Sequence, residues 1–129
     1  MPRDLSPTVL CVDDDEDSRE MLGLLLKYWQ IETKTVGTAT QALSLIEAEQ
    51  FDLYLLDTQL PDLDGFELCR RMRSLDPQTP ILFFSGAAYE SDIQKGIEAG
   101  ANAYVAKPDI EGVLGCIQQF VSRAQSAVA

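Results

Sequence analysis

Five short runs of apolar or β-branched residues recur along the chain, and each is followed by a stretch of helical periodicity. The runs lie at residues 8–12, 31–36, 53–56, 81–84 and 102–106. Short runs of this kind, bounded by turn residues, are typical of strands. Strands that alternate with helices favour a parallel sheet with helices on both faces and right-handed crossovers. The sequence therefore predicts an α/β fold built on a doubly wound, five-stranded parallel sheet.

The helical segments carry start signals and apolar faces. Asp17 and Glu20 have the spacing of a capping box and predict the start of the first helix. Apolar residues that recur at helical spacing are expected to face the core together. In the first helix these residues are Leu22, Leu25, Leu26 and Trp29, and in the third they are Leu68, Met72 and Leu75.

Length and composition limit the possible classes of protein. The 129 residues are enough for a single domain over 1–129, with a core at about 7–123. A formal charge of −11 argues against nucleic acid as a direct partner. The absence of histidine excludes histidine-based triads, histidine metal sites and autophosphorylation on histidine. Three widely separated cysteines, no signal peptide and no apolar run of membrane length predict a cytoplasmic chain without a membrane partner.

Polar side chains follow four of the five predicted strands. Asp13 and Asp14 come after the first strand and Asp57 after the third, while Ser85 and Lys107 follow the fourth and fifth. The carboxyl ends of parallel strands lie at one edge of a doubly wound sheet, where such folds bind ligands. We therefore expect three carboxylates, one hydroxyl and one ammonium to meet there.

This combination predicts a chemistry. Carboxylates about 5 Å apart repel by roughly 3 kcal/mol per pair at an effective dielectric constant of about 20, so three of them need a cation. Oxygen ligands in a compact arrangement favour Mg²⁺, which commonly accompanies phosphate. Beside Mg²⁺ and Lys107, Asp57 is a nucleophile that a phosphoryl donor can approach. Ser85 is then placed to donate a hydrogen bond to the transferred group.

Each residue also has a plainer interpretation that the sequence leaves open. Residues 13–17 could form a solvated acidic loop with a helix cap, and Asp57 could simply start a turn. Ser85 could be an ordinary residue at a strand end, and Lys107 with Pro108 a chance dipeptide. The order and number of these residues favour the functional interpretation over the plain ones taken together.

The same residues carry a resemblance to a known family. Over nearly its whole length the chain resembles the receiver domain of two-component response regulators, as in single-domain chemotaxis regulators. The matching motifs are Val12-Asp13-Asp14, Leu56-Asp57, Leu60-Pro61-Asp62-Leu63-Asp64-Gly65, Ser85-Gly86, Gly100-Ala101 and Lys107-Pro108. The resemblance implies a flavodoxin-like (βα)5 fold with strand order 2-1-3-4-5.

The resemblance also implies a role for several residues. Asp57 is the expected phosphoacceptor, and the expected Mg²⁺ ligands are Asp13, Asp14, Asp57 and the backbone carbonyl of Gln59. Ser85 and Lys107 are expected to sense the phosphoryl group. The bond between Lys107 and Pro108 is usually cis in this family.

Two further positions are defined by comparison with the family. Tyr104 matches its switch aromatic, which turns inward as Ser85 moves toward the phosphate, although Tyr104 could also be an ordinary strand aromatic. Asp109 stands where the family usually has an aromatic, and Ser85 replaces the commoner threonine.

Partners and output follow from the resemblance too. Because the chain lacks histidine, the phosphodonor must be a sensor histidine kinase, a histidine phosphotransfer protein or a small acyl phosphate. A surface of the fourth helix, fifth strand and fifth helix, with Ile93, Ile97 and Tyr104, is expected to control a downstream protein or output domain. We expect no enzymatic activity beyond the chain's own phosphotransfer and dephosphorylation.

The sequence leaves two alternatives open. The chain could be a receiver-like scaffold that binds proteins and never carries phosphate. It could also be a phosphatase of the haloacid dehalogenase type, with Asp13 as nucleophile and Asp15 as general acid. Glu16 argues against the phosphatase, because that family prefers threonine or valine after its second aspartate.

Overall fold

The structure is a computed structural model that describes the backbone of residues 6–128 and the side chains of residues 6–121. Five strands alternate with five helices along this part of the chain. In order they are β1 (Thr8–Val12), α1 (Glu16–Tyr28), β2 (Glu32–Val36), α2 (Ala39–Ala48), β3 (Leu53–Leu56), α3 (Gly65–Leu75), β4 (Ile81–Ser85), α4 (Glu90–Ala99), β5 (Ala103–Ala106) and α5 (Ile110–Val128). Among residues 6–128, no helix is both long and apolar enough to cross a bilayer.

The strands form one parallel sheet in the order β2-β1-β3-β4-β5, which confirms the predicted fold class and strand order. The register aligns the strand ends, because Val12 pairs with both Val36 and Leu56. At the other side of the sheet Ser85 pairs with Ala106. The residues that follow these positions therefore emerge along one edge.

The core consists of two apolar layers, one on each face of the sheet. Alternate residues of the central strands point to opposite layers, so β1, β3 and β4 are buried on both sides, as is usual for parallel sheets. One layer includes Leu10, Leu56, Leu68, Met72 and Phe83. The other includes Val9, Leu22, Leu26, Val113 and Ile117.

Two predicted core residues are in fact exposed. Trp29 has 51% of its surface accessible and Leu75 has 58%. Trp29 is the C-cap that follows α1, and Leu75 is the last residue of α3. The helical repeat that predicted their burial ends at these positions, so the prediction was wrong for both.

The start of α1 also differs from the prediction. The cap is Asp15, whose carboxylate accepts hydrogen bonds from the backbone N–H and the hydroxyl of Ser18, at 3.1 and 2.8 Å. These hydrogen bonds lower the pKa of Asp15. Asp17 lies inside the first turn, where a carboxylate interacts favourably with the helix dipole.

The turn after β3 requires a glycine. Gly65 begins α3 and donates a hydrogen bond from its N–H to the carbonyl of Thr58 at 2.8 Å. A Cβ atom at this position would lie 2.2 Å from the carbonyl oxygen of Asp57 and 2.6 Å from the Cα of Thr58. All of these are backbone atoms, so the turn could not accept a side chain without moving the Asp57 backbone.

The same loop is attached to α2. The carboxylate of Asp62 accepts hydrogen bonds from the N–H groups of Ala39 and Thr40, both at 2.9 Å, and from the Thr40 hydroxyl at 2.6 Å. Asp62 therefore supplies acceptors to the first turn of a helix 22 residues away. The hydrogen bond from the Thr40 side chain, with those from the two backbone groups, lowers the pKa of Asp62 to about 2.

We expect Gly65→Ala to lower the free energy of unfolding by about 1–3 kcal/mol, the usual range for overpacking. The matched control is Gly23→Ala in α1, since a Cβ there would meet nothing within 4 Å. It should raise the free energy of unfolding by about 0.5–1 kcal/mol, because a helical glycine is replaced by alanine. Urea unfolding of both variants measures this, and equal effects of the two substitutions would contradict the role assigned to Gly65.

The contribution of Asp62 to stability should depend on pH. Its folded-state pKa is lowered from 3.8 to about 2, so the contribution is present above pH 3.8 and is lost as the pH falls toward 2. The difference between the urea unfolding midpoints of the wild type and Asp62→Asn should therefore become smaller as the pH falls from 3.8 toward 2. Glu47→Gln, at an exposed position on α2, controls for the loss of one negative charge. A difference that stays constant from pH 5 to about pH 2 would contradict this expectation.

Candidate functional site

Three carboxylates meet at the carboxyl edge of the sheet. Asp13 and Asp14 follow β1 and Asp57 follows β3, and one oxygen of each lies within 4.8 Å of one oxygen of the others. Asp13 is buried, Asp57 is partly buried and Asp14 is exposed. The cluster therefore opens to solvent on the side of Asp14.

Lys107 bridges two of these carboxylates. Its Nζ lies 2.8 Å from Oδ2 of Asp13 and 3.2 Å from Oδ2 of Asp57. Burial lowers the pKa of the Lys107 ammonium, but its hydrogen bond to Asp13 and the negative charges of Asp57 and Asp13 outweigh that effect, so the pKa is raised overall. Lys107 is thus firmly cationic. With the single positive charge of Lys107, the cluster has a net charge of −2 when all three aspartates are ionised.

Asp13 is held in place by both backbone and side-chain contacts. Its N–H donates to the carbonyl of Val36 at 3.1 Å, and its Oδ1 accepts from the N–H of Asp15 at 2.9 Å. The guanidinium of Arg19 donates to the Asp13 carbonyl at 2.7 Å. These contacts leave Oδ2 of Asp13 directed at Lys107.

Asp57 is anchored by the sheet. Its N–H donates to the carbonyl of Val12 at 2.9 Å, and its Oδ1 accepts from the N–H of Thr58 at 2.7 Å. Gln59 follows in the loop and forms an isolated antiparallel bridge with Asp64, the cap of α3. Its carbonyl is the proposed fourth metal ligand, a role that stays a prediction.

Ser85 lies at the end of β4, and its hydroxyl is engaged with a neighbour of the acidic cluster. Its Oγ lies 2.8 Å from Oγ1 of Thr58, and either hydroxyl can be the donor. The Ser85 Oγ also accepts from the N–H of Ala87 at 3.1 Å. Ser85 is therefore beside the cluster, in hydrogen-bond contact with Thr58.

Tyr104 reaches toward the same segment from β5. Its ring packs on Phe83, with centroids 5.5 Å apart, and its hydroxyl donates to the carbonyl of Ala87. A Cβ on Gly96 would lie 2.9 Å from Cδ2 of Tyr104, so the glycine of α4 gives this ring its space. Burial raises the pKa of the Tyr104 hydroxyl. Tyr104 is thus directed inward and is only partly exposed.

The other predicted surface residues face solvent. Ile93 and Ile97 are one helical turn apart on α4 and are 38% and 46% exposed.

The peptide bond between Lys107 and Pro108 is cis, as the resemblance implied. Asp109 stands where the family usually has an aromatic. It accepts a hydrogen bond from the N–H of Gly112 at 2.9 Å and so caps α5.

The arrangement can do two things chemically. Its aspartate oxygens form a donor set that suits a small divalent cation. The Asp57 carboxylate sits beside an ammonium that can neutralise an incoming phosphoryl group. Asp15, the general acid of the phosphatase alternative, uses its carboxylate to cap α1.

Thr58 and Arg19 belong to the site but were not identified from the sequence. Thr58 and Ser85 continue the same faces of β3 and β4 as Leu56 and Phe83, which are paired in the sheet. The two-residue repeat of these strands therefore contained a signal for the contact between the hydroxyls. Arg19 gave no such signal, because its contact with the Asp13 carbonyl depends on the direction in which α1 leaves the sheet.

Known proteins are similar to this chain in sequence. The family model of the response regulator receiver domain matches residues 9–116. The DNA-binding response regulator MtrA of Mycobacterium tuberculosis is 37% identical over 100 residues, which are 78% of this chain and 43% of MtrA. The chain spans less than half the length of the curated relatives it matches first. The DNA binding in the name of MtrA describes that longer protein.

Solved structures agree with the fold. A CheY-like receiver domain protein from Methanospirillum hungatei superposes with a TM-score of 0.88 at 29% identity, covering 95% of this chain and 98% of that one. The BeF3-activated receiver domain of DrrB has a TM-score of 0.83 at 29% identity, covering 92% and 99%. With the motifs and the sheet order, these matches show that the chain belongs to the response regulator receiver domain family.

Proposed function

We propose that Asp57 accepts a phosphoryl group from a phosphohistidine on another protein. An oxygen of the Asp57 carboxylate attacks the phosphorus, the bond between phosphorus and the imidazole nitrogen breaks, and the freed imidazole takes a proton from solvent. The single observation that carries the proposal is Lys107, whose ammonium lies 3.2 Å from Oδ2 of Asp57. Placed there, it offsets the charge of the arriving group.

The proposal includes a magnesium ion held by Asp13, Asp14, Asp57 and the carbonyl of Gln59. The three carboxylates fit this ion, because oxygen atoms within 4.8 Å of one another make a compact and strongly anionic donor set. When bound, the ion supplies positive charge for the phosphoryl oxygens. Arg19 and the sheet hold Asp13 in place for it.

Phosphorylation then controls the surface of α4, β5 and α5. Ser85 turns so that its hydroxyl donates to a phosphoryl oxygen, and its oxygen no longer accepts from the N–H of Ala87. Tyr104 is attached to the carbonyl of the same residue, so it is sensitive to that movement. Ile93 and Ile97 offer exposed apolar area to the partner.

The proposed setting is that of two-component signalling. The phosphodonor is a sensor histidine kinase or a histidine phosphotransfer protein, and the readout is a downstream protein or output domain. We assign the chain a cytoplasmic location, no membrane contact and no direct nucleic-acid contact. We also assign it no enzymatic activity beyond its own phosphorylation and dephosphorylation.

The role of Asp57 can be tested with acetyl phosphate and Mg²⁺. Intact mass spectrometry should detect one phosphoryl adduct on the wild type and none on Asp57→Asn, since the amide cannot act as the nucleophile. Addition of EDTA before the donor should prevent the adduct. Asp92→Asn, on α4, is the matched control and should be modified like the wild type.

The alternatives give different results in the same assay. Turnover of acetyl phosphate that survives Asp57→Asn and is lost in Asp13→Asn would support the phosphatase. The absence of any adduct, with acetyl phosphate and with a phosphohistidine donor, would support the scaffold. Either result would overturn the proposed function.

The proposed output surface makes its own prediction. When the phosphoryl analogue beryllofluoride and Mg²⁺ are added, we expect amide exchange to change most in the loop after β4, in α4 and in β5, since Ser85 and Tyr104 meet there. Residues 39–48 of α2 should change least. Hydrogen exchange read by mass spectrometry measures this, and a change centred on α2 would contradict the proposed surface.

A further inference from the structure

Thr58 and Ser85 form a buried pair of hydroxyls next to the acidic cluster. Their oxygens are 2.8 Å apart, and the residues are only 5% and 2% exposed. Thr58 directly follows Asp57, and its N–H donates to the Asp57 carboxylate at 2.7 Å. The pair therefore joins the residue adjoining the proposed phosphoacceptor to the end of the neighbouring strand.

The two partners differ in freedom of movement. Thr58 is β-branched, which restricts its side chain to few rotamers. Its carbonyl accepts a hydrogen bond from the N–H of Gly65 at 2.8 Å, and Gly65 also packs closely against its Cα. Both contacts fix the Thr58 backbone. Ser85 is unbranched and can turn about its Cα–Cβ bond. Thr58 is thus the fixed member of the pair and Ser85 the one that can move.

Rotation of Ser85 has a cost at Thr58. A serine hydroxyl has one donor and two acceptor positions, and here it contacts Thr58 and accepts from the N–H of Ala87. If Ser85 turns toward a phosphoryl group, the Thr58 hydroxyl loses this partner in a buried place and keeps its hydrogen bond with the Tyr104 side chain. The loss of a hydrogen bond by a buried hydroxyl is unfavourable. The Thr58 hydroxyl therefore stabilises the orientation that Ser85 has in this structure.

We propose that Thr58 is a positioning residue whose hydroxyl holds Ser85 away from Asp57 and so opposes the response of the domain to phosphorylation. The inference rests on the proposed function of Asp57, and it adds a residue that sets how readily the switch moves. The strength of the signal at a given level of phosphodonor then depends on a side chain that takes no part in the phosphoryl transfer itself.

Thr58→Val tests this, because valine keeps the branched shape and removes the hydroxyl. The first measurement is amide exchange of Ala87 in the unphosphorylated protein by NMR. Without the Thr58 hydroxyl, Ser85 leaves its present orientation more often and releases the Ala87 N–H. We expect exchange at Ala87 to become about threefold to tenfold faster, the effect of losing one hydroxyl hydrogen bond. An unchanged exchange rate at Ala87 would overturn the inference.

The second measurement is the affinity for beryllofluoride in the presence of Mg²⁺. Thr58→Val should bind this analogue about threefold to tenfold more tightly than the wild type, since the competing hydrogen bond is gone. Thr33→Val on β2 is the matched control, because the partly buried Thr33 hydroxyl has no hydrogen-bond partner among the residues described. It should leave both measurements unchanged, and an equal effect at Thr33 would overturn the inference.

A double-mutant cycle with Ser85→Ala separates this role from a general change in packing. In the Ser85→Ala background, Thr58→Val should alter neither the Ala87 exchange rate nor the affinity by more than about twofold, because its partner is gone. A full effect in that background would overturn the inference.

The two proposals fail in distinguishable ways. If the wild type binds beryllofluoride and Thr58→Val binds it no more tightly, the role of Thr58 is wrong while the proposed function stands. If no variant binds beryllofluoride and acetyl phosphate leaves no adduct, the proposed function is wrong. The exchange rate at Ala87 then still decides whether Thr58 holds Ser85.

Discussion

The ammonium of Lys107 lies between two carboxylates, and the geometry of the site depends on that contact. It joins the end of β5 to the ends of the neighbouring strands β1 and β3, and β4 lies between this pair and β5 in the sheet. The side chains of Asp13 and Asp57 are only 4% and 14% exposed, so their mutual repulsion is weakly screened by solvent. The lysine offsets that repulsion, and it can do so only because the parallel register brings the strand ends to one edge.

Two networks meet in this part of the molecule, and they differ in chemistry. One is made of charges, with the aspartates and Lys107, and it determines what can bind. The other is made of neutral hydrogen bonds, and it runs from Thr58 through Ser85 and Ala87 to Tyr104. Asp57 belongs to the charged network and Thr58 to the neutral one, and the two residues are consecutive. A change at Asp57 therefore occurs directly beside the first residue of the neutral network.

The fold and the charged network could be predicted from the sequence because both follow from regular patterns. Strand ends in a parallel sheet converge, so the order of residues after each strand indicated which side chains would meet. Helix ends were predicted less well. Trp29 and Leu75 continue the apolar repeat but lie where the helices stop, and Asp15 caps α1 in place of Asp17. Which of several neighbouring aspartates caps a helix depends on backbone angles that the sequence pattern does not contain.

The neutral network was harder to predict, because part of it has no side-chain signature. The N–H of Ala87 donates to Ser85, and its carbonyl accepts from Tyr104. Ala87 therefore takes part only through main-chain atoms, which every amino acid provides, apart from the N–H that proline lacks. A homologue could carry a different side chain at this place and keep the same two hydrogen bonds. Residue identity at position 87 is thus a poor guide to whether a relative has this path between the serine and the aromatic residue, and only a proline there would remove the link to the serine.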